Sequence, residues 1–276
     1  MSIITVSRQL GSLGTEIAQL LCKRFEYKCV DKELLEETYE ESGLPKKSVE
    51  HFDEKKPGFW DIFKTDKARY LHFVKGALLS FARQGNCVIV GRGGQVVLGN
   101  IPGILHIRVV SPMETRIERI RKRFDCDQRQ AEKIIDQNDH ERSGFHKFFF
   151  DCNWEDFGLY DLIINTGTLS KETAANIIQD LAKSKEFTAR HKETKEKLAD
   201  RSLEHEIKTN IIYNEKLSIH FLEVFSENGE VTLRGIAGDD SDVERSEKIV
   251  KAMGHVKKIH NEILFKPIAT TYGLHY

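Results

Sequence analysis

The chain has 276 residues, of which 39% are hydrophobic and 31% charged, and its formal net charge is −1. This length admits two domains at roughly 150 residues each, and the near-zero charge excludes a global pull toward nucleic acid or anionic lipid, so any anion site must be a local cluster. Five cysteines without a C-x-x-C pair point away from a zinc site or disulfide framework and toward buried or idle thiols in a reducing cytosol. No charged leader followed by an apolar run and no stretch of about 18 apolar residues is visible, so the expected compartment is the cytoplasm.

A β-branched strand, Ile3-Ile4-Thr5-Val6, runs into a loop, Ser7 to Thr15, that carries Gly11 and Gly14. The next helix places Ile17, Leu20, Leu21 and Phe25 on one stripe. A second strand, Lys28-Cys29-Val30, ends in Asp31 and leads to a polar helix over Glu33–Ser42. Residues 45–66 are mixed, broken by Pro45, Pro57 and Gly58. A helix over Ala68–Arg83 precedes the apolar run Cys87-Val88-Ile89-Val90, which reads as a central parallel strand, and Gly91-Arg92-Gly93-Gly94 follows.

After a strand at Ile104–Val110, Ser111-Pro112-Met113-Glu114 predicts a helix start with Ser111 as cap; Met113, Ile117, Ile120 and Phe124 form its apolar stripe. Asp127 is the expected cap of a helix running to about Arg142. A fifth strand at Leu162-Ile163-Ile164 precedes a helix capped by Ser170, with Ala174, Ile177, Ile178 and Leu181 inward. Five apolar strands alternating with helices imply an α/β fold with a parallel sheet covered on both faces. Ligands in such sheets sit at the carboxyl ends of the strands, where the glycine loop, Asp31 and Gly91-Arg92 all fall.

Residues 184–201 are charged and nearly aperiodic, a linker or solvated helical extension. Beyond them the pattern is α-β-β-α-β: a helix near Ser202–Tyr213, strands Leu217–Phe225 and Glu230–Ile236 around an Asn228-Gly229 hairpin signal, a helix over 240–253 and a strand at Val256–Phe265. The expected domains are 1–183 and 202–268, joined by 184–201.

The strand–loop–helix start is the architecture of a phosphate cradle, in which loop amides and the positive helix end converge on an anion. Its side chains miss the G-x-x-x-x-G-K-[ST] pattern in either frame, so the usual lysine is absent. Gly11, Ser12, Gly14 and Thr15 are the candidate phosphate-binding residues, with Thr15 also a candidate Mg²⁺ ligand or a plain helix cap. Leu13 in a left-handed conformation would cost about 1–2 kcal/mol, so a tolerated leucine implies a loop of different shape. Arginine suits phosphoryl transfer because its planar fork grips phosphate bidentately. Within the mixed-charge segment 114–147, Arg116, Arg123 and Arg142 are the better candidates; Arg92, between glycines after a buried strand, is a candidate phosphate contact. Asp31 reads equally as a base or ribose acceptor or as a helix cap.

These residues resemble the cytidylate kinase-like family. The resemblance rests on Ile4-Thr5-Val6-Ser7-Arg8-Gln9-Leu10-Gly11-Ser12, Val30-Asp31-Lys32-Glu33-Leu34, Asp53-Glu54-Lys55, Cys87 to Gly93 and Tyr160 to Thr166. It implies a P-loop nucleoside-monophosphate-kinase fold, ATP with Mg²⁺ over the glycine loop, a monophosphate such as CMP near Asp31 and Arg92, and an arginine-bearing lid from Arg116 to Arg142. The family already lacks the lysine; this chain has Leu13 and Thr15 where typical members have glycine and arginine, and Arg8 is the candidate substitute cation. Residues 202–268 resemble a BON domain through Asn228 to Gly235 and Gly254 to Asn261, which implies a small module for phospholipid, another small ligand or a protein. The two functional expectations are a CMP-type kinase with a BON module and a catalytically inactive nucleotide sensor acting through that module.

Overall fold

A computed structural model describes residues 2–41 and 64–267. The Asp53-Glu54-Lys55 motif and the breakers Pro45, Pro57 and Gly58 lie outside the described residues. Two compact units meet between Lys195 and Glu196.

The first unit is a five-stranded parallel sheet in the order β2-β3-β1-β4-β5, with β1 Ile3–Arg8, β2 Lys28–Val30, β3 Cys87–Val90, β4 Ile104–Val110 and β5 Leu162–Asn165. One face carries Ile4, Val6, Val88, Val90, Leu105, Ile107, Val109 and Ile164. Helices α1 (Gly14–Phe25) and α7 (Lys171–Lys183) cover it with Ile17, Ala18, Leu21, Ala174, Ala175 and Ile178. Apolar runs on both faces of a central strand are what a doubly covered parallel sheet requires. Helices α2 (Lys32–Glu41), α3 (Lys64–Gln84), α4 (Gly94–Val97), α5 (Met113–Phe124) and α6 (Gln128–Phe150) complete the unit together with the short α8 (Lys185–Thr188).

The opposite sheet face is more polar than the sequence suggests. Ser7 accepts from the Trp154 indole at 2.7 Å, and the buried Arg108 guanidinium lies 4.3 Å over the Trp154 ring while donating to the Trp154 carbonyl. His106 Nδ1 pairs with the Thr5 hydroxyl at 2.8 Å, and burial lowers the His106 pKa below its ordinary value against a smaller raising effect from Asp161.

Several local expectations are corrected. The residue before α5 is Pro112 in extended backbone, with no side-chain cap, and the Ser111 hydroxyl instead accepts from Arg119 at 3.3 Å. Phe124 and Ile177 are exposed: Phe124 is the last residue of α5, next to the left-handed Asp125, and α7 buries Ala174, Ala175, Ile178 and Ala182. Asp127 caps α6 in a reciprocal box with Gln130, but the helix continues past Arg142 to Phe150. Cys22 and Cys29 are paired in a disulfide, Cα–Cα 5.7 Å, where idle thiols were expected. Their seven-residue spacing hides the pair; the left-handed Glu26 ends α1 and the chain folds straight back into β2.

The second unit is a small mixed sheet, β6 (Ile219–Glu227), β7 (Glu230–Ala237) and β8 (Lys258–Phe265), in that order, with β6–β7 antiparallel and β7–β8 parallel. Asn228 (φ 52°) and Gly229 (φ 83°) form the two-residue turn between β6 and β7, as a primed hairpin turn demands. The carboxyl-terminal part of α9 (His191–Lys208), a π-helical turn over Thr209–Asn214, and α10 (Asp240–Lys251) pack on the sheet; Leu203, Ile207, Ile211, Val224, Val231, Leu233 and Val250 form the core.

Candidate functional site

All five strands of the first unit end at one edge, which gathers the loop after β1, Asp31 after β2, Gly91–Gly94 after β3, Ser111 after β4 and Thr166 after β5. The loop after β1 is tightly specified. Ser12 gives both its N–H (3.3 Å) and its hydroxyl (2.8 Å) to the Gln9 carbonyl, and the Gln9 side chain accepts from the Ser111 N–H at 3.2 Å. Gly11 (φ +78°) packs on the backbone of Arg116, whose carbonyl oxygen would lie 3.2 Å from an added Cβ. At Gly14 an added Cβ would come within 2.4 Å of Arg8 Cβ, so this glycine is fixed by the stem of Arg8. Leu13 occupies the left-handed region (φ 64°, ψ 14°) that a glycine would enter without strain.

Three arginines and a threonine hold the loop carbonyls. Arg142 donates to Arg8 O, Arg116 Nε to Leu10 O at 2.7 Å, Arg119 Nη1 to Gly11 O at 3.0 Å, and the Thr166 hydroxyl to Ser12 O at 2.8 Å. Arg116 is also paired with Asp139 at 2.6 Å, and Arg119 donates to the Thr166 carbonyl at 2.7 Å. Burial disfavours the Arg119 cation, with Glu16 and Glu118 offsetting part of that cost.

The amino end of α1 is different: no side chain caps it at Leu13. Its first N–H groups, at Gly14, Thr15 and Glu16, are those that an α-helix cannot satisfy internally, and they sit at the positive end of its dipole. Arg8 stands beside them. Its Nε is buried without a hydrogen-bond partner, and among the described residues its guanidinium makes no ion pair. An uncapped helix start next to a half-buried cation is a place for an anion.

After β3, Arg92 is 1% exposed and in left-handed backbone (φ 52°). Its guanidinium meets Glu36 of α2 at 2.9 Å and the Tyr70 hydroxyl of α3 at 3.2 Å, and lies 6.0 Å over the Phe145 ring. Gly93 (φ +71°) is pressed by Phe150, whose ring would be 2.3 Å from an added Cβ. Asp31 caps α2 through the Leu34 N–H at 3.1 Å.

The candidates therefore fall into groups. Gly11, Ser12 and Gly14 form the loop, Thr15 is exposed on the first turn of α1, and Arg8, Arg116 and Arg142 surround it. Asp31 and Arg92 lie along the same sheet edge. Arg123 stands apart, exposed at the far end of α5 with its guanidinium 5.5 Å from the Phe124 ring centre. Sequence reasoning did not single out Arg119, Thr166, Glu36 or Tyr70. Arg119 lies three residues after Arg116, hence on the same helix face, and that spacing was the available signal.

In the second unit, a cleft of about 610 Å³ lies between α9 and the hairpin end of the sheet. Asp200, Glu204, Glu227 and Glu230 outnumber Lys197 and Arg201 in its lining, which also includes His260. Ser226 orients two of these carboxylates, giving its N–H to Glu204 at 3.0 Å and its hydroxyl to Asp200 at 3.2 Å.

Comparison with known proteins agrees with this anatomy. Residues 3–168 match the cytidylate kinase-like family and residues 199–267 match the BON domain. A cytidylate kinase of Methanocaldococcus jannaschii is 30% identical over 102 residues, 36% of this chain and 57% of the relative; one of Methanococcus aeolicus is 25% identical over 180 residues, 64% of this chain and 94% of the relative. A uronate isomerase of Corynebacterium glutamicum shares 30% identity over 91 residues, 33% of this chain and only 18% of that enzyme. The chain thus spans less than two thirds of the uronate isomerase and of the Methanocaldococcus jannaschii kinase, but nearly the whole of the Methanococcus aeolicus kinase. A crystal structure of an uncharacterized protein from Eubacterium ventriosum superposes with TM-score 0.52 at 22% identity, covering 67% of this chain and 99% of that one, a likeness of fold. With its first-unit sheet and loop matched almost end to end, the chain belongs to the cytidylate kinase-like family of P-loop kinases and carries a BON domain after it.

Proposed function

We propose that the first unit transfers the γ-phosphoryl group of ATP to a nucleoside monophosphate of the CMP or dCMP type, and that the BON unit senses a ligand or tethers the enzyme. The observation that carries this reading is Arg8, a half-buried cation with an unpartnered Nε beside the uncapped start of α1. In a family member without the loop lysine, this is the charge that a triphosphate needs. Phosphoryl transfer asks mainly for positioning and charge neutralisation, which loop amides and arginines supply. Bound Mg²⁺ would neutralise phosphate oxygens, and the exposed Thr15 hydroxyl is this chain's own candidate ligand for it.

Arg92 supports an acceptor site by exchange of anions. Its partner Glu36 is a carboxylate with a quarter of its side chain exposed, and a monophosphate arriving there takes over that place on the guanidinium. Asp31 is the candidate acceptor for a base or ribose hydrogen bond. Arg142 and Arg116 are candidates for contacting the transferred group, with Arg123 reaching it only if the end of α5 moves. The acid-rich lining of the BON cleft favours a cationic or polyhydroxylated ligand, or a basic protein segment, over a phospholipid headgroup.

A second reading, a nucleotide-binding sensor without turnover, draws on the strained Leu13 and on the engagement of Arg116, Arg119 and Arg142 with loop carbonyls. Measuring ADP release with CMP, dCMP, UMP and AMP, alongside calorimetry with ATP, separates the two. Turnover with a pyrimidine monophosphate that falls about 100-fold in Arg8→Ala, the usual effect of losing one charge-stabilising donor, is the expected result. ATP binding without turnover selects the sensor, and absence of ATP binding overturns both.

A further inference from the structure

The Cys22–Cys29 bond joins the two sides of the candidate site. Cys22 is in the last turns of α1, the helix that starts at the phosphate loop; Cys29 is the middle residue of β2, the strand that leads to Asp31. β2 is only three residues long and is an edge strand, hydrogen-bonded to β3 alone. Asp31 then caps α2, and α2 supplies Glu36 to Arg92. The disulfide is therefore a staple on the weakest-held strand of the sheet, at the root of the acceptor side.

We infer that Cys22 and Cys29 form a reversible thiol–disulfide modification site whose state sets the affinity of the acceptor side, an inference that rests on the kinase reading for its functional consequence. Three features favour reversibility over a permanent brace. The other cysteines, Cys87, Cys126 and Cys152, are free thiols, so the fold does not depend on oxidation elsewhere. The bond closes a loop of seven residues' separation, and short loops gain least from cross-linking. Both side chains pack with the core on the α1 face of the sheet, which accepts reduced cysteines as small apolar groups.

The chemistry is exchange with a dithiol reductant. One reductant thiolate attacks the sulfur of Cys29, the less buried of the two, and the S–S bond breaks, releasing Cys22 as a thiolate that takes a proton from water. The second reductant thiol then attacks the mixed disulfide and frees Cys29. The reductant leaves as its own disulfide, and two electrons and two protons end on the protein thiols. Reduction removes the only covalent tie on β2, so Asp31 and α2 lose definition. The start of α1 lies eight residues from Cys22, about 12 Å along the helix, and keeps its packing on the sheet.

The test uses the full-length protein equilibrated in oxidising glutathione buffer or in dithiothreitol, with a Cys22→Ser/Cys29→Ser double variant. Denaturing alkylation followed by intact mass is expected to add three groups to the oxidised protein and five to the reduced one, from five cysteines of which three are free. CMP affinity by calorimetry is expected to fall about fivefold on reduction, the low end of site-to-site coupling, while ATP affinity holds; the double variant should match the reduced protein in both buffers. Hydrogen exchange should quicken over 28–36 and stay constant over 14–21. Five groups added under oxidising conditions, or three after native dithiothreitol treatment, would overturn the switch. Unchanged exchange at 28–36 would overturn its link to the acceptor side. Loss of nucleotide binding in both states would count against the kinase reading alone, since alkylation and exchange do not depend on a nucleotide.

Discussion

Leu13 allows the strain in the loop after β1 to be measured. Its backbone sits at φ 64° while its side chain, half-buried, packs against the core of the first unit. Leu13→Ala removes most of that packing, about 1 kcal/mol for a half-buried leucine, and keeps the left-handed penalty because alanine has a Cβ as well. Leu13→Gly loses the same packing but relieves about 1–2 kcal/mol of left-handed strain, less about 0.5–1 kcal/mol for the added freedom of the unfolded chain. Glycine is therefore expected close to wild type, and more stable than alanine by somewhat under 1 kcal/mol. Urea denaturation of the full chain, followed through the fluorescence of the buried Trp154, compares the three proteins. A glycine variant less stable than the alanine variant would refute the claim that the loop is held in a strained conformation. The same glycine variant should bind ATP at least as tightly as wild type if the loop holds phosphate.

On the acceptor side, Arg92→Ala should weaken CMP binding far more than ATP binding, while Glu36→Gln, which removes the competing carboxylate, should tighten CMP binding; equal losses for both nucleotides in Arg92→Ala would reject the assignment. Breaking this pair should also destabilise the fold by about 2 kcal/mol or more, toward the range for pairs with a buried partner. His106 predicts a pH dependence: its folded pKa lies below its unfolded value, so the unfolded chain binds more protons in the interval between them. That contribution is present above about pH 6.5 and is lost as pH falls below it. Thermal melts between pH 7.5 and 5.5 should show the decline, and a slope unchanged in His106→Gln would assign it elsewhere.

Where side-chain period and caps decide an element, the sequence was readable. The apolar run at Cys87–Val90 reads as a central strand and Ile104–Val110 as a further strand, as both are, and Asp127 and Ser170 cap helices through their own side chains. Asn228-Gly229 announced its hairpin turn for the same local reason. What stayed hidden depends on contacts across the fold. Ser111 has every local mark of a cap, yet its hydroxyl is taken by Arg119. The Cys22–Cys29 pair is invisible without knowing that the chain reverses at Glu26. Arg92 reads from sequence as a phosphate contact, and its engagement with Glu36 and Tyr70 stays unseen because a carboxylate 56 residues away leaves no trace in local pattern.

The arginines explain how a loop without its lysine keeps a usable shape. Strand ends β1, β4 and β5 are bound into one assembly by donors that reach main-chain oxygens: Arg116 and Arg119 from α5, Arg142 from α6 and Thr166 after β5. A guanidinium on a carbonyl neutralises the oxygen side of a loop peptide and fixes the plane of that peptide, and with it the direction of the following N–H. On the proposed reading, Arg116, Arg119 and Arg142 would serve a phosphate from behind, by orienting amides, and Arg8, with its unpartnered Nε, would be the side chain left to meet it. The same contacts make loop geometry depend on α5 and α6, so a ligand that moves those helices would alter phosphate affinity without touching the loop.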